Sequence, residues 1–378
     1  MSSATDACQG QPRATRIVFF ILGLAAGAWA PLAPFAKTRL GLDDGAFGLL
    51  LLCVGAGSIV AMPLAGALAA RLGCRRVLVA AAITHACVFP LVALAPGPIT
   101  LGAALFVFGA ALGSMDCVIN IQAIVVERDR GRPMMSGFHA LYSLGGVAGA
   151  GAVSGLIGVG AAQLTAMIVV SAAILAAARF AWGGLLVRGQ AGGGPAFAVP
   201  RGAVVLIGLF CFVVFLAEGS ALDWSAVYLR TARHAAAAQA GLAFVAFSAF
   251  MTAGRLVGDR LVARVGRRGV VAGGAAMAAA GLMIAMLGPG VAAVVAGYAV
   301  VGAGCANIVP ALFTFVGRQT AMPQGPAVAA VSVLGYAGIL AGPAGIGFVA
   351  NASSLAAALL IVAVLLLLVA AGAGRLPG

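Results

Sequence analysis

Twelve transmembrane helices in two related six-helix bundles, an all-α membrane fold, are what this 378-residue chain predicts, on three observations. Hydrophobic residues make up 63% of it and charged residues 8%, where a water-soluble domain carries about 25% charge. The apolar residues fall into runs long enough to cross a bilayer. A short Gly/Arg loop motif recurs at a fixed offset. The first observation excludes a soluble enzyme, a soluble nucleic-acid-binding domain and a disordered tail. The net charge of +13 does not restore nucleic acid as a partner, because the cations occur as ones, twos and threes between apolar runs, with no stacking aromatics among them.

A helix needs about 20 apolar residues to cross the hydrocarbon core. Dividing the chain at charges and at Gly/Pro breaks gives runs near 16–36, 45–70, 76–95, 98–126, 134–157, 161–186, 202–229, 238–262, 269–288, 291–316, 324–350 and 353–373. The first run contains Ala28-Trp29-Ala30, which has the form of a signal-peptidase site, but the apolar stretch continues past it to Ala36 and reads as an uncleaved first span. The Gly/Pro-rich segment 188–201 divides the chain into an N-terminal bundle, 1–187, a cytoplasmic linker, 188–201, and a C-terminal bundle, 202–378. With a cytoplasmic N-terminus, the outer loops hold only Lys37, Arg39, Arg230 and Arg233. The other 18 of the 22 cations lie in or beside inner segments, so the positive-inside rule places both termini in the cytoplasm. The seven cysteines show neither a CxxC nor a metal-ligand spacing and read as small packing residues. No metal site or cofactor is expected.

The halves repeat. Gly66-Ala-Leu-Ala-Ala-Arg71-Leu-Gly73-Cys-Arg75-Arg76 follows span 2, and Gly254-Arg-Leu-Val-Gly-Asp259-Arg260-Leu-Val-Ala-Arg264-Val-Gly266-Arg267-Arg268 follows span 8. An offset of 193 carries Arg71 onto Arg264, Gly73 onto Gly266 and Arg75 onto Arg268. A parallel repeat of six spans is one way in which secondary transporters are built. The loop motif, its copy and the 6+6 layout resemble the major facilitator superfamily over essentially the whole chain. Two stretches resemble its rhizopine-permease-like and sugar-permease-like bacterial inner-membrane branch. One runs from Met115-Asp116 through Asn120-Ile-Gln122 to Phe138-His139-Ala-Leu-Tyr142-Ser143-Leu-Gly145-Gly146; the other runs from Ala217-Glu218 to Asp223-Trp224 and Tyr228. The resemblance implies a secondary active transporter of a small polar solute, working by rocker-switch alternating access as a monomer in the bacterial inner membrane. The loop acid of the family's motif is missing from the first copy, where Ala70 takes its place, and Cys74 replaces a basic residue. The family's cytoplasmic charge lock should then depend on Asp259 with Arg260 and Arg264 in the second copy, with Arg71 and Arg75 opposite. A plain positive-inside loop also accounts for these arginines.

Of the nine acids only Asp116 and Glu218 lie deep in spans, where an acid costs about 2.5–3.5 kcal/mol and needs a cavity, a partner or a proton. An acid poised among those states suits a proton relay. Asn120 is one turn from Asp116, and antiparallel span 5 brings Tyr142 and His139 to matching depths, giving either a coupling network or a helix-to-helix hydrogen-bond clamp. Glu218 suits a substrate or proton role, whereas Asp223 with Trp224 and Tyr228 suits an interfacial anchor. Trp29, Asn307 and Tyr336 are further central groups on spans 1, 10 and 11; by resemblance spans 1, 4, 7 and 10 line the cavity, and aromatic faces beside amides and carboxylates suit a sugar or polyol. The pairs Gly145/Gly149, Gly254/Gly258 and Gly338/Gly342 are expected at close seams between the halves. A proton-coupled drug or metabolite efflux pump is an alternative, weakened because Gly149 is followed by Ala150 and not by proline. A non-transporting sensor on the same fold is another. No nucleophile–base set, HExxH or P-loop points to an enzyme.

Overall fold

The computed structural model describes residues 2–187, 198–236 and 239–377. The linker expected at 188–201 falls largely on residues outside the described ones, as do the side chains of residues 1–9. The described chain is helical, with α1 Ser2–Trp29, α2 Ala33–Arg39, α3 Asp44–Leu72, α4 Cys74–Leu94, α5 Pro98–Arg130, α6 Met135–Gly158, α7 Gln163–Ala181, α8 Ala203–Ala232, α9 Leu242–Leu287, α10 Gly290–Cys305, α11 Ile308–Val316, α12 Gln324–Ala352 and α13 Leu355–Gly372. Among the described residues, eleven helical segments are long and apolar enough to cross a membrane.

The expected spans 238–262 and 269–288 fall mostly on one helix, α9, whose 46 residues would extend roughly 70 Å if straight, more than twice the hydrocarbon thickness. The helix is interrupted at Gly266, with φ 75° and ψ 161°. Gly73, its counterpart at the offset of 193, has φ 83° and ψ 157° and separates α3 from α4. Only glycine holds this conformation without steric penalty. The two motif glycines therefore turn the chain in the same way between a second and a third helix of each repeat.

The chain forms two compact units. Unit 1 comprises Met1–Arg130, Leu141–Val199 and Pro323–Ala330; unit 2 comprises Gly131–Ala140, Pro200–Met322 and Val331–Gly378. In each, helices approach through glycine, as expected where lipid removes the hydrophobic drive for association and close van der Waals contact replaces it. In unit 1 a Cβ on Gly109 of α5 would run into the Val54 carbonyl of α3; in unit 2 a Cβ on Gly302 of α10 would run into the Phe247 carbonyl of α9. Both members of the second pair lie 193 residues beyond the first.

The close approaches correct the reading of two of the three glycine pairs as seams between halves. Gly145 and Gly149 press on the Phe20 and Leu24 carbonyls of α1, inside unit 1. Gly338 presses on the Phe212 carbonyl and Gly342 on the Leu216 side chain of α8, inside unit 2. Gly254 and Gly258 face Ala306 and Asn307, but Gly258 also lies against Ser136, a residue of the first sequence half, so at this pair a close contact between the halves is present. The pairs at 145/149 and 338/342 thus serve packing within their own unit.

Arginines join the helix ends. Arg75 donates to the Gly183 carbonyl (3.1 Å) beyond α7 and lies over the Trp182 ring, 5.4 Å from its centroid. Arg268 donates to the Leu376 carbonyl from Nε (3.1 Å) and Nη2 (2.5 Å) beyond α13. Gly183 and Leu376 are again 193 residues apart. At the other ends of the helices, Arg39 donates to Val92 O (2.8 Å) in the last turn of α4, and Arg233 reaches Met286 O (2.7 Å) and Gly288 O (3.1 Å) at the end of α9. Terminal carbonyls without a helical partner are thus met by cations, which also suits the helix dipole.

Gly145→Leu and Gly338→Leu are expected to lower thermal stability in micelles to a similar extent, by about 1–3 kcal/mol or more for an overpacked contact. Melting curves of both variants check this, and an unchanged midpoint for either would contradict the packing described.

Candidate functional site: ionisable groups within the spans

In unit 1, Asp116 and Asn120 stand one turn apart on α5. Asn120 is fully buried, and its Nδ2 donates to both the Asp116 carbonyl (2.9 Å) and carboxylate Oδ1 (3.3 Å). The half-buried Asp116 carboxylate thus has a neutral amide as its hydrogen-bond partner, while Asn120 Oδ1 is buried with no hydrogen-bond partner. Two residues on, Gln122 bridges α1 and the chain beyond α7: its Nε2 donates to Thr15 Oγ1 (3.1 Å) and its Oε1 accepts from Leu186 N (3.1 Å). Tyr142 belongs to the same unit, with its carbonyl lying on Gly23 of α1. Trp29, at the end of α1, faces Phe108 of α5 with ring centroids 6.2 Å apart, and Phe108 in turn packs on His85 of α4 at 5.0 Å. His85 is wholly buried and both its ring nitrogens lack a hydrogen-bond partner.

In unit 2 the arrangement is built around Arg255 of α9. Its Nη2 lies 3.9 Å from Glu218 Oε1 on α8, the two side chains being 6% and 17% exposed. Its Nε donates to the Ala306 carbonyl (3.3 Å). The reason that this carbonyl is open to a side chain can be read in the chain. Pro310 stands four residues on and has no N–H to return to it, so the helix breaks between α10 and α11, with Asn307 at φ −114° and ψ 2°. Asn307 closes the break from its own side, Nδ2 donating to the Gly254 carbonyl (2.9 Å). Glycines at 254 and 258 are required here, since a Cβ on Gly258 would overlap the Asn307 amide. One proline, one asparagine, two glycines and one arginine form a single construction.

Also in unit 2, His139 stacks on Phe313 of α11, ring centroids 6.2 Å apart, and Tyr336 meets Phe215 edge-on at 6.4 Å. Of the four groups expected at matching depths, Asp116 and Asn120 are joined directly in unit 1, Tyr142 is in unit 1, and His139 is in unit 2. Asp259 grips the first turn of α6: its two carboxylate oxygens accept from the backbone N–H of Ser136 and Gly137, each at 3.0 Å. A carboxylate at a helix N-terminus meets unsatisfied donors and the positive end of the dipole. Arg71, Arg260 and Arg264 are exposed, while Arg75 is engaged at the end of α7. Asp223 is exposed near the end of α8.

Sequence reasoning missed Arg255, counting it among the loop cations. The signal was present: Arg255 lies well inside the apolar run 238–262, and the test applied to acids in spans applies equally to a cation. It also passed over His85, inside the run 76–95.

Arg255→Gln leaves the Glu218 carboxylate without its counter-charge and is expected to destabilise by about 3–5 kcal/mol, as when one partner of a buried pair is removed. Adding Glu218→Gln should recover most of that loss. Denaturation curves in micelles decide; a double variant no more stable than Arg255→Gln would assign the loss to the Ala306 carbonyl alone.

No family model matches the chain. An uncharacterized MFS-type transporter of Yersinia pestis is 50% identical over 347 residues, spanning 91% of this chain and 90% of that protein. The membrane protein MosC of Rhizobium meliloti is 32% identical over 339 residues, spanning 89% and 83% of the two chains. The crystal structure of the fucose:proton symporter FucP of E. coli superposes with a TM-score of 0.78 at 16% identity, covering 97% of this chain and 98% of its own. That likeness shows the fold, and the extended identity to an MFS-type transporter shows the lineage: the chain belongs to the major facilitator superfamily.

Proposed function

We propose that the protein is a proton-coupled secondary transporter of a small polar solute, a sugar, polyol or derivative, working by rocker-switch alternating access. In this reading the chain crosses the bacterial inner membrane twelve times. The break at Gly266 divides α9 into two crossings, and the bundles are 1–187 and 202–378, joined by the linker 188–201, with both termini cytoplasmic and the monomer as the working unit. The observation that carries proton coupling is the unequal provision for the two intramembrane acids. Glu218 has the guanidinium of Arg255 at 3.9 Å, whereas Asp116 is hydrogen-bonded to the neutral amide of Asn120. A neutral amide gives an acid in a span no counter-charge, and exchange of its proton with an aqueous opening is the step that a proton gradient can drive. Glu218 is the second proton-sensitive point: protonation weakens its hold on Arg255, which keeps its bond to the broken helix at Ala306.

Polar-solute binding is supported by the mixture of groups on these helices: amides, a neutralised acid–base pair and aromatic faces from Trp29 and Tyr336. The FucP structure is that of a sugar:proton symporter, which agrees with this class. For the lock, Asp259 acts on backbone amides of α6, so its strength depends on helix geometry at Ser136 and Gly137. The arginines next to it in sequence tune the local field.

Reconstituted in proteoliposomes with an imposed pH gradient, Asp116→Asn is expected to abolish accumulation of the solute while leaving solute exchange measurable. Glu218→Gln should impair accumulation less severely. Full gradient-driven accumulation by Asp116→Asn would remove the proposed proton site.

Asp259→Ala removes both acceptors from the α6 amides and is expected to shift the population toward a cytoplasm-open state. Thiol labelling of a cysteine introduced at the inner mouth should speed up several-fold, and an unchanged rate would count against the lock.

A further inference from the structure

The surface of α9 opposite Arg255 and Asp259 has a chemistry of its own. Val257, Leu261 and Val265 are each between 42% and 53% exposed and project with Arg260 and Arg264 from one sector about 140° wide. Arg260 and Arg264 are both exposed and are spaced i, i+4, which sets their Cβ atoms about 6 Å apart along one face. Toward the start of α9 the same sector continues as Val257 and Phe250, 52% and 53% exposed, and just beyond the arginines the helix ends its run at Gly266. Two guanidinia at the end of an acyl-facing surface match a ligand with a phosphate at one end and hydrocarbon at the other.

Unit 1 supplies an internal comparison. Leu64, Leu68 and Leu72 of α3 are each between 39% and 47% exposed, and an offset of 193 carries them onto Val257, Leu261 and Val265. Arg71 is the counterpart of Arg264 and is likewise exposed, but the counterpart of Arg260 is Ala67. The repeat has therefore kept the apolar stripe and one arginine in both copies, and the second copy has a further arginine placed to share one anion with the first.

We infer that Arg260 and Arg264 form a headgroup site for an anionic phospholipid, with its acyl chain along Val257 and Phe250. Guanidinium forks suit a phosphodiester, since two N–H groups from each side chain can meet its oxygens. A free phosphate ion has no use for the stripe, which is why the lipid is the assigned occupant. The equivalent surface at Arg71, with one guanidinium, holds the same lipid more weakly.

The test uses the full-length protein in micelles and the lipid phosphatidylglycerol, with phosphatidylcholine as the zwitterionic control. Wild type and Arg71→Gln should bind phosphatidylglycerol with similar affinity at the tighter site, and the double variant Arg260→Gln/Arg264→Gln should lose roughly 10–30-fold, on the scale of two interfacial arginines. Wild-type affinity should fall in about 0.5 M salt, as charge screening requires, a measurement independent of any variant's folding. Inorganic phosphate at the same concentration should not displace the lipid. Equal affinity for the two lipids, salt-independent binding in the wild type, a folded double variant that binds as tightly as wild type, or displacement by phosphate would each overturn the assignment.

Discussion

A helix end or a broken helix inside a membrane protein leaves backbone carbonyls without partners, and lipid offers no hydrogen to satisfy them. In this protein arginine is repeatedly the donor that does. Arg39 and Arg233 serve the ends of α4 and α9, Arg75 and Arg268 the chain beyond α7 and α13, and Arg255 the carbonyl exposed by Pro310. A guanidinium has five donors in a plane and stays charged, so one side chain can serve several acceptors, as Arg233 does. With a single lysine among 22 cations, the chain relies almost wholly on the side chain suited to that task.

Arg75 and Arg268 are related by the offset of 193 and Arg39 and Arg233 by 194, and the fifth arginine has no such counterpart. The counterpart of Arg255 at an offset of 193 is Met62, fully buried and apolar. The two repeats thus share a scaffold and differ in what they hold inside it. The first repeat contributes an acid beside an amide, and the second contributes an acid beside a guanidinium and a helix broken at Asn307. Sharing helix-end contacts while differing at the centre lets the two repeats carry different chemistry. Position in the repeat sets the frame, and departures from it mark the candidate site.

The small residues follow a comparable division. Glycines at 109 and 302 and at 145 and 338 occupy equivalent close approaches, where a Cβ would meet a backbone carbonyl that cannot yield. Gly258 has another purpose, giving room to the Asn307 amide, and its neighbour Asp259 reaches the α6 amides from the same turn. One turn of α9 therefore contributes to the broken helix with one residue and to the grip on α6 with the next. A change at either position bears on both.

Composition and period determined the membrane class, the long apolar helices and the repeat, because hydrocarbon tolerates few charges and a span has a fixed length. They also singled out Asp116 and Glu218, since an acid in an apolar run stands out in any sequence. Arg255 was equally visible at 255 and was lost only by counting it with the loops. What tertiary structure alone decided is which partner each group found. Glu218 meets a side chain 37 residues away, Asp259 meets two main-chain N–H groups, and Ala306 offers a carbonyl; backbone donors and acceptors are the same at every residue and leave no mark in the sequence. The glycine pairs were legible as close contacts but not as contacts with a particular helix, because a missing side chain says that something lies near and is silent on what.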